Sequence, residues 1–353
     1  MWAITNRGEL NIMKAQIKPR INLENRTPLQ DVIPLETPFV VFIDPSSSCN
    51  FQCTFCPTGD RDLIKETGRF QGVMNFDLYR KLIDDLASFP QSIKVLRLYK
   101  DGEPLLNKRL ADMIAYAKAS GHVPYIDTTT NGALIDPSRM GPLIEAGLDK
   151  VNISVYGMRP DQYTAFTKTE FDFDRFVTNV RWLYEHKGGC EIVIKIPGEL
   201  ITEAERQKFF DTFGDYCDRI FVENFAPCWP QFDVEDRLGV KITQGIYQQP
   251  ITPTDTCPYI FYAMSINADG LASACFVDWG RRLIVGDGRK QSLREIWNST
   301  EFNELRLAHL EGKRKQNPAC SQCGQLSHCR PDNIDAYREQ LIPKVKDHIA
   351  ARS

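Results

Sequence analysis

The chain has 353 residues, with 43 Lys and Arg against 46 Asp and Glu, a net charge of −3. This balance excludes the net positive charge typical of proteins that bind nucleic acid or an anionic membrane surface, so we expect a small, polar partner. No stretch reaches the roughly 18 apolar residues needed to span a bilayer. The start of the chain also lacks the apolar core of a signal peptide. We therefore expect a cytoplasmic, reducing compartment, where clustered cysteines indicate metal or redox chemistry.

The first 224 residues predict an extension followed by one α/β unit. Residues 1–38 are polar, contain four prolines and show no period, which predicts an irregular N-terminal extension. In 39–224, apolar runs alternate with segments of helical period, which predicts a parallel sheet with right-handed crossovers. The predicted strands are 39–44, 95–99, 124–128, 151–155, 191–196 and 219–223. The first predicted helix begins after Asn75, a candidate N-cap, and the others cover 110–119, 139–146, 173–186 and 203–213. A surface loop is predicted at 61–73.

Beyond residue 224 the alternation stops. Residues 225–256 contain several prolines and no period, which predicts a linker. A second, cysteine-rich domain is predicted at 257–330, with a β-hairpin over 263–275 and a helix over 293–310. The last residues, 331–353, predict a terminal helix that begins after Pro331 and Asp332.

Three cysteines, Cys49, Cys53 and Cys56, directly follow the first predicted strand. Three thiolates can hold three irons of a 4Fe-4S cluster and leave the fourth iron open. The alternatives are a zinc site or three buried thiols, but zinc usually takes four protein ligands or a set that contains histidine, and no histidine is nearby. The C-x3-C-x2-C spacing, with Phe55 before the third cysteine, resembles that of the radical S-adenosylmethionine (SAM) enzymes.

This resemblance implies a partial (β/α)6 TIM-like barrel, in which six strand–helix units suffice. It implies that the open iron chelates SAM and that one electron from the cluster cleaves SAM to a 5′-deoxyadenosyl radical. The three cysteines would be the cluster ligands, and Phe55 would lie against the adenine. A flavodoxin- or ferredoxin-type protein would supply the electron.

Further segments resemble the SAM-binding motifs of the same family. Gly102-Glu103-Pro104 follows the second strand and resembles the stretch that binds the SAM amino group, although Asp101 replaces its first glycine. The resemblance assigns Asn131 to the pocket wall and Ser154 to the ribose. Lys168 is a candidate partner for the SAM carboxylate, and a solvated lysine is the alternative. The candidate cofactor-binding residues are therefore Phe55, Gly102, Glu103, Pro104, Asn131, Ser154 and Lys168.

A second group of cysteines lies in the C-terminal part, where the spacing alone fits either a zinc site or a fully ligated iron–sulfur cluster. The pattern resembles the SPASM/twitch domain, which binds auxiliary 4Fe-4S clusters. Five thiols are too few for two clusters, so the resemblance implies one. Its ligands would be Cys257, Cys275, Cys320 and Cys323, with Cys329 as a possible substitute. Three other thiols are expected not to bind metal, namely Cys190, Cys217 and Cys228.

The resemblance extends to twitch-type dehydrogenases that act on an aminocyclitol. It implies oxidation of a carbon-bound hydroxyl in a sugar or aminocyclitol-like molecule, with the auxiliary cluster as electron acceptor. A base must also take the hydroxyl proton, and Asp278 and Glu223 are candidates. The alternatives are a peptide- or protein-modifying radical SAM enzyme, a redox-neutral sugar epimerase, and a non-catalytic scaffold stabilised by zinc.

Overall fold

A computed structural model describes residues 13–329 and 332–352 of the chain. The first twelve residues of the predicted extension lie outside the described residues. So do Arg330 and Pro331, and with Pro331 one of the two residues expected to begin the terminal helix.

The described residues form an α/β fold around a single, mostly parallel sheet in the order β1-β7-β6-β5-β4-β3-β2-β8-β9-β10. The strands are β1 (Gln16–Ile17), β2 (Val40–Ile43), β3 (Val95–Arg97), β4 (Ile126–Thr130), β5 (Lys150–Ser154), β6 (Glu191–Pro197), β7 (Arg219–Glu223), β8 (Ala263–Ile266), β9 (Leu271–Ser273) and β10 (Ile284–Asp287). Strands β2 to β7 pair in chain order and in parallel, which confirms the predicted TIM-like core. All carboxyl ends of these strands therefore meet at one end of the sheet, where α/β proteins bind ligands.

Helices cover the outside of the sheet. They are α1 (Leu29–Val32), α2 (Arg61–Thr67), α3 (Phe76–Asp84), α4 (Leu110–Ala119), α5 (Pro137–Glu145), α6 (Pro160–Thr167), α7 (Phe173–Glu185), α8 (Glu203–Phe213), α9 (Val234–Leu238), α10 (Tyr259–Tyr262), α11 (Leu293–Trp297), α12 (Thr300–Leu310), α13 (Pro318–Ser321), α14 (Gln325–His328) and α15 (Arg338–Ala350). The predicted cap at Asn75 is confirmed, because its side chain accepts hydrogen bonds from Asp77 N and Leu78 N.

Two predictions about local structure were wrong. The segment 61–73, predicted as a loop, contains α2, because Asp60 caps the helix start through Leu63 N and Gly68 ends it in the left-handed conformation. The single helix predicted over 293–310 is two helices, because the side chain of Ser299 accepts from Phe302 N and begins a new one. Capping residues inside an apolar pattern thus interrupt or create helices that the period alone does not reveal.

The sheet extends beyond the six predicted strands at both edges. Gln16 and Ile17 of the extension pair in parallel with Arg219 and Ile220, which the absence of a period in this segment did not indicate. At the other edge, β8 pairs in parallel with β2, and the predicted hairpin β8–β9 is confirmed. The cysteine-rich part is therefore joined to the barrel through the sheet itself. No helix among residues 13–329 and 332–352 is long and apolar enough to cross a membrane.

Candidate active site

The loop after β2 carries the first three cysteines at the carboxyl end of the sheet. Backbone bonds fix the loop to the end of α6: Gln52 N donates to Thr167 O at 2.9 Å, and Thr54 N donates to Phe166 O at 2.8 Å. Cys56 N donates to Cys53 O at 3.2 Å, which closes a tight turn between two of the thiols. The loop is thus held on a helix rather than free to move.

The chemistry of these thiols fits a bound metal cluster. All eleven cysteines of the chain are free, so no disulfide uses them. Burial raises the pKa of Cys49 to about 12, and burial also raises the pKa of Cys56. Thiolates in such surroundings are unfavourable without a cation, and metal binding supplies one. The three thiols also line one cavity, so the residues present supply the donor set that the expected 4Fe-4S group needs.

Glu103 lies beside this loop and is almost fully buried. Its carboxylate accepts hydrogen bonds from Leu105 N at 3.0 Å, Thr130 Oγ1 at 2.8 Å and Asn131 N at 2.8 Å. Burial nevertheless raises its pKa to about 7. A buried carboxylate with this pKa gains from a cationic partner such as an ammonium group.

Asp101, where the family motif has glycine, is held between two cations. Its carboxylate accepts from Arg69 Nη2 at 2.6 Å and from Lys100 Nζ at 2.8 Å. The same Arg69 guanidinium stacks on Trp279, with 4.3 Å between its carbon and the ring centroid. Trp279 Nε1 in turn donates to Thr58 Oγ1 at 2.8 Å. The departure from the motif thus joins the cysteine loop to the C-terminal part.

Several of the predicted cofactor-binding residues line one cavity of about 320 Å³ with the three cysteines. Phe55 packs there between Tyr156 and Phe225, with ring centroids 5.2 and 5.0 Å away. Ser154, at the end of β5, is also part of the wall. Asn131 Nδ2 reaches Cys49 Sγ at 3.7 Å. The structure thus brings Phe55, Gly102, Glu103, Asn131 and Ser154 together, with Pro104 at the start of the turn that follows.

Lys168 is not brought together with this group. It follows α6 in the left-handed conformation, is exposed, and lines a separate surface cavity with Cys53 and Asp60. The two candidate bases also differ in position. Glu223 lines the cavity and forms an ion pair with Lys195, which lines it too. Asp278 instead accepts from Ser273 Oγ at 3.1 Å and from two backbone amides at 2.9 Å each, which identifies a structural carboxylate.

The second cysteine group lines a narrow neighbouring cavity. This cavity contains Cys257, Cys275, Cys320, Cys323 and also Cys228. Cys228, expected to be a core residue, lines both this cavity and the one with the first cysteines. Cys329 lines the first cavity and not the second. The four thiols of the twitch-type set are therefore neighbours and Cys228 is the fifth thiol beside them, while Cys329 lies near Cys228 and Cys323 but on the side of the first cavity.

Sequence reasoning missed Arg20, Lys195 and Cys228 as lining residues. Arg20 lies in the extension that has no period, and Cys228 lies in the predicted linker, so neither belongs to a motif. Lys195 alone had a signal, since it interrupts the apolar run of a buried strand. A charged residue in such a run must find a partner, which here is Glu223.

Comparison with known proteins agrees with this geometry. Residues 43–212 match the radical SAM superfamily, and residues 257–324 match the SPASM iron–sulfur cluster-binding domain. The chain therefore carries a radical SAM domain and a SPASM domain. Its cofactors are accordingly SAM, a SAM-binding 4Fe-4S cluster and auxiliary iron–sulfur clusters in the C-terminal part.

The individual relatives have names that describe different activities. The cofactor-modifying protein of the tungsten-containing aldehyde ferredoxin oxidoreductase from Pyrococcus furiosus is 29% identical, over 88% of this chain and 95% of its own. The S-adenosyl-L-methionine-dependent 2-deoxy-scyllo-inosamine dehydrogenase of Niallia circulans is 22% identical, over 82% of this chain and 93% of its own. The GTP 3′,8-cyclase of Chlorobaculum tepidum is 33% identical, but the match spans 37% of this chain and 36% of that enzyme.

Solved structures share the fold. BtrN in complex with AdoMet and 2-DOIA has a TM-score of 0.51 at 18% identity, over 82% of this chain and 94% of its own. Streptococcus suis SuiB bound to the precursor peptide SuiA has a TM-score of 0.59 at 14% identity, over 85% of this chain and 73% of its own. At these identities the likeness supports the architecture and does not select a substrate.

Proposed function

We propose that the chain is a radical SAM oxidoreductase that oxidises a carbon-bound hydroxyl of a polar small molecule of the sugar or aminocyclitol class. The observation that carries this proposal is one cavity with the first cysteine loop on one side and charged side chains, Arg20, Lys195 and Glu223, on another. Cys228 forms part of the wall shared with the auxiliary cysteines. A polar substrate in this cavity would thus lie between two redox sites.

The roles proposed for the chain's own residues follow from their contacts. Cys49, Cys53 and Cys56 would hold the first cluster, which with SAM bound supplies the 5′-deoxyadenosyl radical. Glu103 would accept hydrogen bonds from the SAM amino group, and Asn131 would keep its neighbouring cysteine in place. Phe55 and Ser154 would contact the adenine and the ribose, as the family resemblance suggests. Cys257, Cys275, Cys320 and Cys323 would hold the auxiliary cluster.

Oxidation of an alcohol to a ketone by this route requires one acceptor each for a hydrogen atom, a proton and an electron. The carbon-bound hydrogen atom leaves with the adenosyl fragment as 5′-deoxyadenosine. The hydroxyl proton goes to Glu223, whose partner Lys195 has a pKa lowered by burial. The auxiliary cluster that Cys257, Cys275, Cys320 and Cys323 would hold could accept the remaining electron, so that two electrons would leave the substrate in total. Glu223 suits this task better than Asp278, because the carboxylate of Asp278 is occupied by backbone amides.

The proposed function is tested with anaerobically reconstituted protein, dithionite, SAM and a panel of sugars and aminocyclitols. About eight irons per chain are expected, as two cubane clusters require. A true substrate should increase 5′-deoxyadenosine formation and yield a product that lacks two hydrogens. A product of unchanged mass with one inverted centre would show an epimerase. Zinc in place of the second cluster, without SAM cleavage, would show a scaffold.

SAM affinity should depend on the ionisation of Glu103. Because burial raises the pKa of Glu103 to about 7, the carboxyl group is largely protonated at lower pH and loses its charge attraction for the SAM ammonium group. We expect SAM to bind about tenfold more tightly near pH 8 than near pH 6, since about one tenth of the groups are ionised one unit below the pKa. Titration of SAM into the reconstituted protein at both pH values measures this.

Glu103→Gln should weaken SAM binding near pH 8 and remove most of its pH dependence. Glu185→Gln, on the exposed face of α7, is the matched control and should behave as the parent. An unchanged pH profile in Glu103→Gln would remove Glu103 from the proposed SAM site.

A second candidate function is modification of an organic cofactor. It is favoured by the Pyrococcus furiosus relative, whose name describes a cofactor-modifying protein and which aligns over most of both chains. The two candidates differ in substrate but share the first steps of the chemistry. Product analysis separates them, because extracts that contain organic cofactors would then stimulate 5′-deoxyadenosine formation where simple sugars and aminocyclitols do not.

A further inference from the structure

A second cavity, of about 450 Å³, lies toward the amino ends of the barrel strands. The first residues of β3, β5 and β7, which are Val95, Lys150 and Arg219, line its wall. Residues 20–22 and 24–27 of the N-terminal extension line it from another side. It shares six lining side chains with the active-site cavity, namely Arg20, Phe42, Tyr99, Phe276, Gln325 and Cys329. The two cavities therefore adjoin at this layer of side chains, and Arg20 is accessible from both.

The wall of this second cavity carries an excess of positive charge on buried or half-buried side chains. Arg97 lies 3.6 Å from Asp127, while Lys150 and Arg219 both pair with Glu191, at 3.6 and 2.6 Å. With Arg20 and the Lys195–Glu223 pair beside it, five cations thus face three carboxylates. The pKa of Lys150 is lowered to about 8 by burial and by Arg219. At the rim, Arg26 pairs with Asp332, and the exposed Lys94 and Glu24 are of opposite charge, so the rim adds little net charge.

Arg20 has unused hydrogen-bonding capacity at the place where the cavities meet. Its Nη1 donates to the hydroxyl of Tyr99 at 3.4 Å, while its Nε is buried without a partner. Among the described residues Arg20 forms no ion pair, although Glu223, which pairs with Lys195, and the hydroxyl of Tyr247 both lie near it. Arg97 Nε is also buried without a partner, and Arg97 Nη1 donates to the same Tyr99 hydroxyl at 2.5 Å. Two guanidinium groups around one hydroxyl form a site that an anion would complete.

We propose that the substrate carries an anionic group, a phosphate or a carboxylate, which binds between Arg20 and Arg97 while its reacting carbon lies in the active-site cavity. This inference rests on the proposed function for the reaction and adds the substrate class. Guanidinium groups bind such oxyanions through paired hydrogen bonds, whereas a neutral sugar would leave Arg20 without a counter-ion and Arg97 with Asp127 alone. The anion would thus orient the substrate along the axis of the barrel.

The test is calorimetric titration of the reconstituted holoprotein with pyrophosphate, malonate and glycerol at low ionic strength. We expect pyrophosphate or malonate to bind the parent protein, the tighter of the two identifying the kind of anion, and glycerol not to bind. Arg20→Gln should weaken binding of that anion at least tenfold. Arg97→Gln should do the same and serves alone where Arg20→Gln does not fold. Arg175→Gln, on the exposed surface of α7, is the control and should bind as the parent does.

Parent protein that binds neither anion, or folded variants that bind it as tightly as the parent does, would overturn the inference. Reductive cleavage of SAM is measured in the same preparations. Cleavage without anion binding would refute the anionic substrate and leave the proposed function intact. Anion binding without SAM cleavage would refute the proposed function and leave the anion site.

Discussion

Replacement of Cys53 by alanine is expected to abolish formation of 5′-deoxyadenosine, by at least about a thousandfold, which corresponds to roughly 4 kcal/mol of activation free energy. The three thiols of the first loop can hold three irons and leave one open for SAM. With Cys53 absent, two ligands remain for a cluster that needs three. The loop itself should persist, because its bonds to α6 use backbone atoms of Gln52 and Thr54 rather than the thiol.

Three measurements check this prediction. Anaerobic iron analysis should show about four irons fewer per chain than in the parent. Electron paramagnetic resonance should lose the reduced signal that responds to SAM, and chromatography should detect no 5′-deoxyadenosine. Cys190→Ala is the matched control, since Cys190 is a buried thiol at the start of β6, outside both cavities, and should leave all three readouts unchanged. SAM cleavage by Cys53→Ala at the parent rate would refute the assignment of the first cysteine group.

Much of the fold was predictable because hydrophobic period and capping agree in the barrel. The helices predicted at 110–119 and 203–213 have these same bounds in the structure. Strand β1 was not predictable, because two residues cannot show a period and its pairing depends on the distant Arg219 and Ile220. The parallel pairing of β8 with β2 was equally hidden, since it joins segments more than 200 residues apart.

The residues of the candidate site likewise fall into a group that the sequence indicates and a group that it does not. The cysteine groups and Glu103 were found because their chemistry fixes residue type and spacing together. Arg20 and Cys228 were not, because a lone arginine and a lone cysteine have many uses, and here tertiary contacts alone bring them to the cavities. Asp278, a candidate base because it was expected near the cavity, instead accepts from the backbone of its own turn as a structural carboxylate does. Motifs therefore identify the cofactor side of such a site better than the substrate side.

Substitution of Gly102 by alanine is expected to displace the first cysteine loop and to destabilise the protein by about 1–3 kcal/mol, the usual cost of overpacking. A Cβ on Gly102 would lie 2.2 Å from Ser48 O and 2.4 Å from Ser46 O. These are backbone atoms, which cannot rotate away as a side chain would. Glu103 N also donates to Ser48 O at 2.9 Å. A Cβ on Gly102 would therefore push the segment 101–103 away from the segment 46–48 that precedes Cys49.

The consequence for the site is larger than the loss of stability suggests, because separation moves a cluster ligand and the predicted SAM-binding carboxylate at once. We expect Gly102→Ala to lower the midpoint of thermal unfolding, to reduce the iron content of the first cluster and to weaken SAM binding at least tenfold. Gly189→Ala is the matched control, since a Cβ there meets no atom within 4 Å. It should leave unfolding, iron content and SAM binding as in the parent. Full iron content and unchanged SAM affinity in Gly102→Ala would contradict this prediction. The contact between segments 101–103 and 46–48 would then not determine the position of Cys49.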